Sequence, residues 1–534
     1  MEENNSEKSI KEENKEVEKK KETVMKFLGN KDIHTYLLIA LLIFAFILRL
    51  MYFNIDQAVW WDGADYLTGA KVIGQDLPLN HYEFNPRRPF FLSVFWGFLY
   101  MLGGGETILR ISILLFSIAG VWLTYLLGKE IYNKQVGLLA GFAMSVLWLH
   151  LFHTARLLSD LPTLTIWLAT AYFSYKGVIK EEKKSLIFAG IALGFLLFIR
   201  GSSLIYFLPL LVLVLAKDGI KFVKNKHIWI ALVIAILIMS PFFIWLGLNY
   251  EHPFQKFTGI GGGEVRFKGS MNFGKLWENL DVFSYVVFAP GLLAILSNFL
   301  LSGKLLGLLI FLIVLGLSLD LFLGFDLLLK KKEEGLINKL FLLTWMFTPY
   351  VFFSLAGSGI EERYVFAMFP ALFIILGKGV MDSQHYFKKN KNIWIVLLVV
   401  LLVVFSFFQL SFADSLIKNK QESYRAVKEA GIWLYQNTEP DDLIVSQSHY
   451  QNMYYSERDT IDFHNETDKL TEADFNKKVK ELKPKYMVVS VFEPGFTPDW
   501  AYSYGDRNKD KVRPIRVYSD EDEQPLLIIF EFIN

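Results

Sequence analysis

The segment WWDGADY at residues 60–66 holds two carboxylates, Asp62 and Asp65, three positions apart. If this segment is helical, the two side chains share one face of the helix. A carboxylate held close to the membrane plane can act as a general base that accepts the proton of a hydroxyl group. The alternative interpretation is an interfacial belt of aromatic residues that carries two solvated acids.

A third acid, Asp160, follows Arg156 and begins a predicted membrane span. At the start of a helix, Ser159 or Asp160 has an ordinary role as a capping residue. The alternative is that Asp160 faces the first loop across a shared outer cavity, where it would position an acceptor or a base. Both interpretations place the carboxylate at the outer end of the span.

Five arginines lie at the predicted outer ends of spans, where the positive-inside rule disfavours them. They are Arg87, Arg88, Arg156, Arg200 and Arg363. Guanidinium groups pair with two phosphate oxygens at once and stabilise the charge of a departing phosphate, so the arginines predict a phosphate-bearing lipid head group. The alternative is pairing with nearby acids such as Glu361 and Glu362, or snorkelling of the long side chains.

Other candidate motifs carry less chemistry. The chain has no cysteine, which excludes disulfides, cysteine-ligated zinc and thiolate nucleophiles. The glycines at 261–263 neither follow a strand nor precede a GK[ST] sequence, so a flexible loop is favoured over a nucleotide site. Among His81, His150 and His153, the last two form at best one imidazole pair with no fixed acid partner, so ordinary interfacial histidines are favoured and we assign no metal ligand. The possibility that a divalent metal takes over part of the phosphate stabilisation from the arginines stays open.

The elements that position these residues are membrane helices. Apolar residues make up 53% of the 534 positions and include 48 phenylalanines. This is more than the core of a soluble protein can bury. Segments such as 393–408 with their flanks approach the roughly 20 apolar residues that cross a bilayer. The net charge of +1 argues against nucleic acid as a partner. The composition therefore predicts an α-helical polytopic membrane protein.

Charge along the chain predicts the topology. Residues 1–32 are rich in Lys and Glu and predict a disordered cytoplasmic arm. The first span, 36–53, begins too far along the chain for a cleaved signal peptide, so we expect it to be retained. Residues 54–106 then form a first outer loop. The membrane domain covers 33–413 and contains about eleven predicted spans. Twelve or thirteen spans also fit the sequence, because the apolar runs in 282–329 can be assigned to spans in more than one way.

Residues 414–534 have the composition of a soluble domain, which the topology places on the extracytoplasmic side. Val427, Ala430 and Leu434 mark one face of a helix. Strands are predicted at 443–446, 486–490 and 526–532. This segment therefore predicts a small α/β domain that covers the site or binds the acceptor.

Taken together, these features resemble the GT-C class of polytopic glycosyltransferases. The resemblance is to the dolichyl-phosphate-mannose protein mannosyltransferase (family 39-like) superfamily and the related aminoarabinose lipid A transferases, and it covers nearly the full chain. The motifs that carry it are DGADY at 62–66, NPRRPF at 85–90, RLLSDLP at 156–162, and ERY at 362–364 followed by Pro370. Their order and spacing matter more than any one motif.

The resemblance implies a GT-C-like fold of about 11–13 transmembrane helices in the cell membrane. It also implies inverting transfer of a sugar from a polyprenyl (dolichyl-type) phosphate carrier to an acceptor on the outer face. Protein, glycolipid and polymer acceptors all remain open. The implied residues are the acids Asp62, Asp65 and Asp160, the phosphate-binding Arg87, Arg88, Arg156, Arg200 and Arg363, and the sugar-pocket residues Trp61, Tyr66 and Tyr364.

Gly63 stands where the family pattern has a second acid, which leaves open whether Asp62 or Asp65 is the working base. The alternative function is a polytopic transporter or lipid flippase, which would show internal repeats and ionisable groups near mid-membrane. A third possibility is an inactive relative that acts as a scaffold. Polar groups concentrated at the outer span ends favour the transferase.

Overall fold

A computed structural model describes residues 33–253, 273–298, 302–324, 332–355, 361–465, 468–493 and 495–533. The predicted cytoplasmic arm at 1–32 and the glycines at 261–263 lie outside the described residues.

The membrane domain is built from α-helices joined by short 3-10 turns. Its first helices are Ile33–Leu50, Trp61–Gln75, Phe91–Met101, Glu106–Ile131, Lys134–Val146, Trp148–Thr154, Asp160–Val178, Lys183–Ile199, Phe207–Asp218 and Lys226–Asn249. They are followed by Gly274–Glu278, Asp281–Ser297, Gly303–Leu317, Leu319–Leu323, Glu334–Leu355, Phe369–Ser383 and Lys391–Asn419. Two of these helices, Trp61–Gln75 and Phe91–Met101, form the predicted first outer loop.

Eight helices in the described part of the chain are long and apolar enough to cross a membrane, and nine if one bent pair is a single span. The predicted count of eleven to thirteen is reached only when shorter or less apolar helices are added, and three such helices are candidates. These are Asp160–Val178, Lys183–Ile199 and Gly303–Leu317, with 19, 17 and 15 residues. The prediction of a polytopic helical membrane protein is confirmed, and with these three the count is twelve.

The predicted span at 136–151 is not one straight helix, which corrects the sequence prediction. Helix Lys134–Val146 ends at an extended Leu147 (φ −56°, ψ 121°), and helix Trp148–Thr154 continues at an angle of 57°. A break frees carbonyl groups that need new partners in an apolar environment. Arg49 Nη1 donates to the Ser145 carbonyl at 3.0 Å, and His150 Nδ1 contacts the Met144 carbonyl at 2.9 Å.

A second interruption lies in helix Asp281–Ser297, where Ala289 has φ 55° and ψ 155° before Pro290. Pro290 has no N–H for the Val286 carbonyl. The fully buried Gln409 donates from Nε2 to the carbonyls of Val286 and Val287, both at 2.9 Å. Its Oε1 accepts from the N–H of Trp148 at 2.9 Å. One amide therefore joins both broken helices.

The C-terminal region contains a five-stranded sheet with the order β2-β1-β5-β7-β6. The seven strands are β1 Ile444–Ser446, β2 Thr460–Ile461, β3 His464–Asn465, β4 Asp468–Lys469, β5 Tyr486–Ser490, β6 Val512–Ser519 and β7 Pro525–Phe532. β2, β1 and β5 run parallel, and β7 pairs antiparallel with β5 and β6, while β3 and β4 form a separate hairpin. The three strands predicted from the sequence are confirmed within one residue.

The helices of this region are Arg425–Asn437, His449–Ser456, Glu472–Leu482, Asp499–Tyr502 and Tyr504–Arg507. The predicted apolar face of the first is confirmed, because Val427, Ala430 and Leu434 are fully buried. The last membrane helix, Lys391–Asn419, extends past residue 414, where the sequence prediction begins the C-terminal domain.

The C-terminal region packs on the first outer loop through helix His449–Ser456. Gln451 Nε2 donates to the Val59 carbonyl at 2.7 Å, and the Val59 N–H donates to the Tyr455 hydroxyl at 2.6 Å. Lys71 forms an ion pair with Glu457 at 2.7 Å. These contacts join the C-terminal region to the helix that carries Asp62 and Asp65.

Candidate active site

Helix Trp61–Gln75 presents Asp62 and Asp65 from its first turns. The side chain of Asp62 is 32% exposed, whereas that of Asp65 is only 4% exposed. Gly63 lies against the chain before Asp160, since an added Cβ atom would sit 2.4 Å from the Leu157 carbonyl oxygen. The glycine that departs from the family pattern thus lets the chain segments around residues 63 and 157 approach closely.

Arg88 bridges the two carboxylates of this helix. Its Nη2 lies 2.5 Å from Asp62 Oδ1, and its Nη1 lies 2.8 Å from Asp65 Oδ2. The Tyr82 hydroxyl donates to the Asp65 carboxylate at 3.3 Å. Burial raises the pKa of Asp65, although the Arg88 guanidinium opposes that shift.

Two further arginines complete the network. Arg363, in a 3-10 turn at Glu362–Tyr364, contacts Asp62 Oδ2 at 2.8 Å and Glu361 Oε2 at 2.6 Å. Arg200 Nη1 donates to Asp160 Oδ1 at 2.8 Å. Pairing with nearby acids therefore does account for part of the arginine placement. Asp160 binds Arg200 rather than capping its helix, and Ser159 forms no side-chain cap.

A cavity of about 150 Å³, here called the basic cavity, opens between these groups. Its lining consists of Asp62, Tyr66, Arg87, Arg88, Pro89, Leu158, Ser159, Asp160, Arg200, Gly201, Ser202 and Arg363. Four guanidinium groups line this small space, and those of Arg88, Arg200 and Arg363 are paired with carboxylates. Four of the five predicted arginines converge there.

A larger cavity of about 380 Å³, here called the aromatic cavity, lies on the other side of Asp62. Its lining consists of Trp60, Trp61, Asp62, Trp148, Leu149, Phe152, His153, Leu158, Tyr285, Glu361, Glu362, Arg363, Leu416 and Tyr424. Asp62, Leu158 and Arg363 line both cavities. Asp62 therefore stands at their junction.

Arg156 lies apart from the other arginines. Its guanidinium carbon sits 3.8 Å from the Trp60 ring centroid and 4.2 Å from that of Phe152, a cation–π arrangement. Within the described residues, its three guanidinium nitrogens have no hydrogen-bond partner and it belongs to the lining of neither cavity.

The three predicted sugar-pocket residues are dispersed. Trp61 lines the aromatic cavity, and its ring meets those of His449 at 5.1 Å and Phe496 at 6.4 Å. Tyr66 lines the basic cavity. The Tyr364 ring stacks on another aromatic ring, that of Phe353, at 5.2 Å, and it belongs to the described lining of neither cavity.

Several lining residues were missed by sequence reasoning, among them Trp148, Tyr285 and Tyr424. They come from a bent helix, a kinked helix and the entry to the C-terminal region. No local spacing connects them, and the only signal available was their aromatic type.

The histidines considered as metal ligands are used otherwise. His81 Nδ1 contacts Asp459 at 2.6 Å, and His153 Nδ1 lies 3.8 Å from Asp160. In the described part of the chain, no group of three or more His, Cys, Asp or Glu side chains could hold a metal ion.

Comparisons with known proteins bear on this fold. A family model described as dolichyl-phosphate-mannose-protein mannosyltransferase matches residues 86–245. That range contains Arg88, Asp160 and Arg200, while Asp62 and Arg363 lie outside it. A search of curated protein sequences finds no significant match.

Solved structures show the same architecture. ArnT from Cupriavidus metallidurans in the apo state matches with a TM-score of 0.62 and 13% identity, over 93% of this chain and 98% of that one. The same ArnT bound to undecaprenyl phosphate matches at 0.60 and 14%, over 92% and 97%. The oligosaccharyltransferase AglB from Archaeoglobus fulgidus, in complex with an inhibitory peptide and a dolichol-phosphate, matches at 0.55 and 12%, over 94% and 74%.

The GT-C resemblance drawn from the sequence motifs is therefore confirmed. The family model supports it across the middle of the membrane domain, and the fold supports it over nearly the whole chain. The protein is a multi-pass membrane protein with the GT-C fold that the ArnT and AglB structures share.

Proposed function

We propose that this protein transfers a sugar from a polyprenyl phosphate carrier to an acceptor hydroxyl at the junction of the basic and aromatic cavities. The observation that carries the proposal is the position of Asp62 between the two cavities, held by Arg88 and Arg363. The carriers bound by the two structural neighbours, undecaprenyl phosphate and dolichol-phosphate, support this donor class.

The charges around the basic cavity match such a donor. Arg88, Arg200 and Arg363 pair with the carboxylates of Asp62, Asp65, Asp160 and Glu361. The phosphate of a sugar-phosphate diester competes with these carboxylates for the same guanidinium groups. When the acceptor proton passes to Asp62, that carboxylate loses its charge, and Arg88 and Arg363 are released toward the carrier phosphate, whose negative charge grows as the sugar departs.

The reaction proposed is a single displacement. The acceptor oxygen attacks C1 of the donor sugar, and the bond from C1 to the phosphate oxygen breaks with its electron pair leaving on phosphate. The acceptor proton passes to Asp62, and attack from the side opposite the phosphate inverts the configuration at C1. Arg88 and Arg363 exchange part of their contact with Asp62 for the phosphate, which strengthens their interaction as negative charge develops.

Asp62 is proposed as the base and Asp65 as a positioning residue. Asp62 lines both cavities and is partly exposed, so a hydroxyl group can reach it. Asp65 is buried, absent from the described lining of both cavities, and held by Arg88 and Tyr82. Its carboxylate orients Arg88 toward the basic cavity.

The transporter alternative gains one observation, since two helices in the described chain are broken near each other. Their freed backbone groups, however, are bonded by Gln409, Arg49 and His150. The charged network instead lies in loops and at helix ends, where the glycosyltransferase proposal needs it.

The test is transfer of radiolabelled sugar from undecaprenyl- and dolichyl-phosphate donors into host membrane fractions by the purified full chain. Asp62→Asn is expected to lower turnover about a hundredfold or more, because it removes a general base. Asp65→Asn is expected mainly to raise KM for the donor. The matched control is Asp76→Asn, which changes an exposed acid at the end of the same helix. Full transfer by Asp62→Asn would refute the assignment.

The proposed site also requires the C-terminal domain on the extracytoplasmic side. The cysteine-free chain allows a direct test with single cysteines and an impermeant maleimide on intact cells. Lys509→Cys in the C-terminal region is expected to react, and Lys389→Cys, before helix Lys391–Asn419, is expected to stay unlabelled. Both lysines are exposed. The reverse pattern would place the site on the cytoplasmic side.

A further inference from the structure

The aromatic rings that line the aromatic cavity come from four separate parts of the chain. Trp60 and Trp61 precede or begin the first-loop helix, Trp148 belongs to the bent helix, Tyr285 to the kinked helix, and Tyr424 to the entry of the C-terminal region. The Trp148 and Tyr285 rings meet edge to face at 5.6 Å. With about 380 Å³, the cavity has the size of a small-molecule site and rings broad enough to pack against a sugar ring.

The charge of this cavity is opposite to that of its neighbour. Three carboxylates, Asp62, Glu361 and Glu362, face one guanidinium, that of Arg363. Arg363 pairs with Asp62 and Glu361, and no ion pair of Glu362 occurs in the described chain. Burial raises the pKa of Glu362, and the neighbouring Glu361 and Asp281 add to the shift. A second anion beside this carboxylate would be strongly disfavoured.

The carboxylates of this cavity call for hydrogen-bond donors. Glu361 and Glu362 both belong to its lining, and an ionised carboxylate can only accept hydrogen bonds. A hydroxyl group both donates and accepts. A polyol can therefore donate to Glu362, whereas a fully ionised phosphate group offers only acceptor oxygens.

From this geometry we infer that the aromatic cavity binds the acceptor, and that the acceptor is a saccharide with no phosphate or carboxylate group near the accepting hydroxyl. The inference rests on the proposed function, because it uses Asp62 as the base at the junction of the cavities. The donor phosphate occupies the basic cavity, and the acceptor sugar packs on the aromatic rings with a hydroxyl group directed at Asp62. Glu362 binds acceptor hydroxyls and excludes anionic acceptors.

The test measures binding of two soluble probes, methyl mannobioside and its 6-phosphate ester, to the full chain in nanodiscs by saturation-transfer NMR titration. Wild type is expected to bind the neutral probe at least about tenfold more tightly than the ester. Glu362→Gln is expected to weaken neutral binding about tenfold, as loss of a charged hydrogen-bond partner implies. Glu362→Lys is expected to reverse the preference. Glu333→Gln, at an exposed acid elsewhere, is the matched control.

Binding of radiolabelled undecaprenyl phosphate to the same samples separates this inference from the function on which it rests. Glu362 variants are expected to bind this carrier as wild type does, which also shows that they are folded. Suppose that wild type binds the carrier but either binds the ester as tightly as the neutral probe or binds neither probe. The inference about the acceptor is then overturned, and the proposed function stands. If the neutral probe binds through Glu362 but no carrier binds, the proposed function fails instead.

Discussion

Replacing Gln409 by Met removes the amide that joins the two broken helices while nearly conserving side-chain volume. The side chain is fully buried and makes three hydrogen bonds of 2.9 Å, to Trp148, Val286 and Val287. In a bilayer no water replaces these partners, so one N–H and two carbonyls lose their bonds. We expect the two helix breaks to lose their common anchor.

The size of the effect follows from those three bonds. Side-chain hydrogen bonds inside membrane proteins contribute about 0.6 kcal/mol each on average, and a buried group left unpaired costs about 1–3 kcal/mol. Three bonds therefore predict a loss of about 2–4 kcal/mol in the free energy of unfolding. Trp148 and Tyr285 line the aromatic cavity next to these breaks, so acceptor binding is expected to weaken as well.

The assay is SDS titration of the purified chain in mixed micelles, followed by tryptophan fluorescence, with undecaprenyl phosphate binding as a second readout. Gln135→Met is the control, because Gln135 is exposed at the start of helix Lys134–Val146. We expect the control to lie within about 0.5 kcal/mol of wild type. If Gln409→Met also falls within that range, the hydrogen bonds do not anchor the breaks and the reasoning is refuted.

Three further perturbations probe the site and its support. Gly63→Ala places a Cβ atom 2.4 Å from the Leu157 carbonyl oxygen, so we expect a loss of about 1–3 kcal/mol in unfolding free energy and reduced transfer. Arg363→Gln is expected to weaken binding of undecaprenyl phosphate about tenfold or more, because Arg363 lines the basic cavity. Arg156→Gln lies outside both cavities, so it is expected to reduce stability but to leave carrier binding within about twofold of wild type. Burial raises the pKa of Glu493, so the native state retains the carboxyl proton to a higher pH than the unfolded state does. The contribution of this group to the free energy of unfolding therefore falls as pH rises through the usual glutamate range. Glu493→Gln is expected to lack that fall in chemical denaturation between about pH 4 and 7.

Each of these expectations has a contradicting result. Gly247→Ala, at a helical glycine with open space around it, is the control for Gly63→Ala, and equal stability of the two variants would remove the argument from close approach. Equal loss of carrier binding in the Arg363 and Arg156 variants would show that position in the basic cavity is not decisive. A stability difference between wild type and Glu493→Gln that is constant with pH would show that the carboxyl does not titrate as expected.

Local properties of the chain were predictable because they depend on neighbouring residues. Apolar runs long enough to cross a bilayer indicate membrane helices, and a short continuous apolar run indicates a buried strand such as Tyr486–Ser490. The acids at 62 and 65 share a helix, as their spacing suggests. Arg88 and Arg363 stood out in the sequence because the predicted topology sets them against the positive-inside rule, and in the structure both pair with Asp62.

Sequence by itself thus determined that lipid surrounds this protein, most of its membrane helices, three of its strands, and a short set of charged candidates. Only the tertiary structure decided which candidates meet. Arg363 reaches Asp62 across 301 positions, Arg156 packs against two aromatic rings instead, and the rings of the aromatic cavity come from four distant segments. The physical reason is that these contacts depend on how helices pack and where they break, and the breaks are stabilised by a distant glutamine rather than by any local signal.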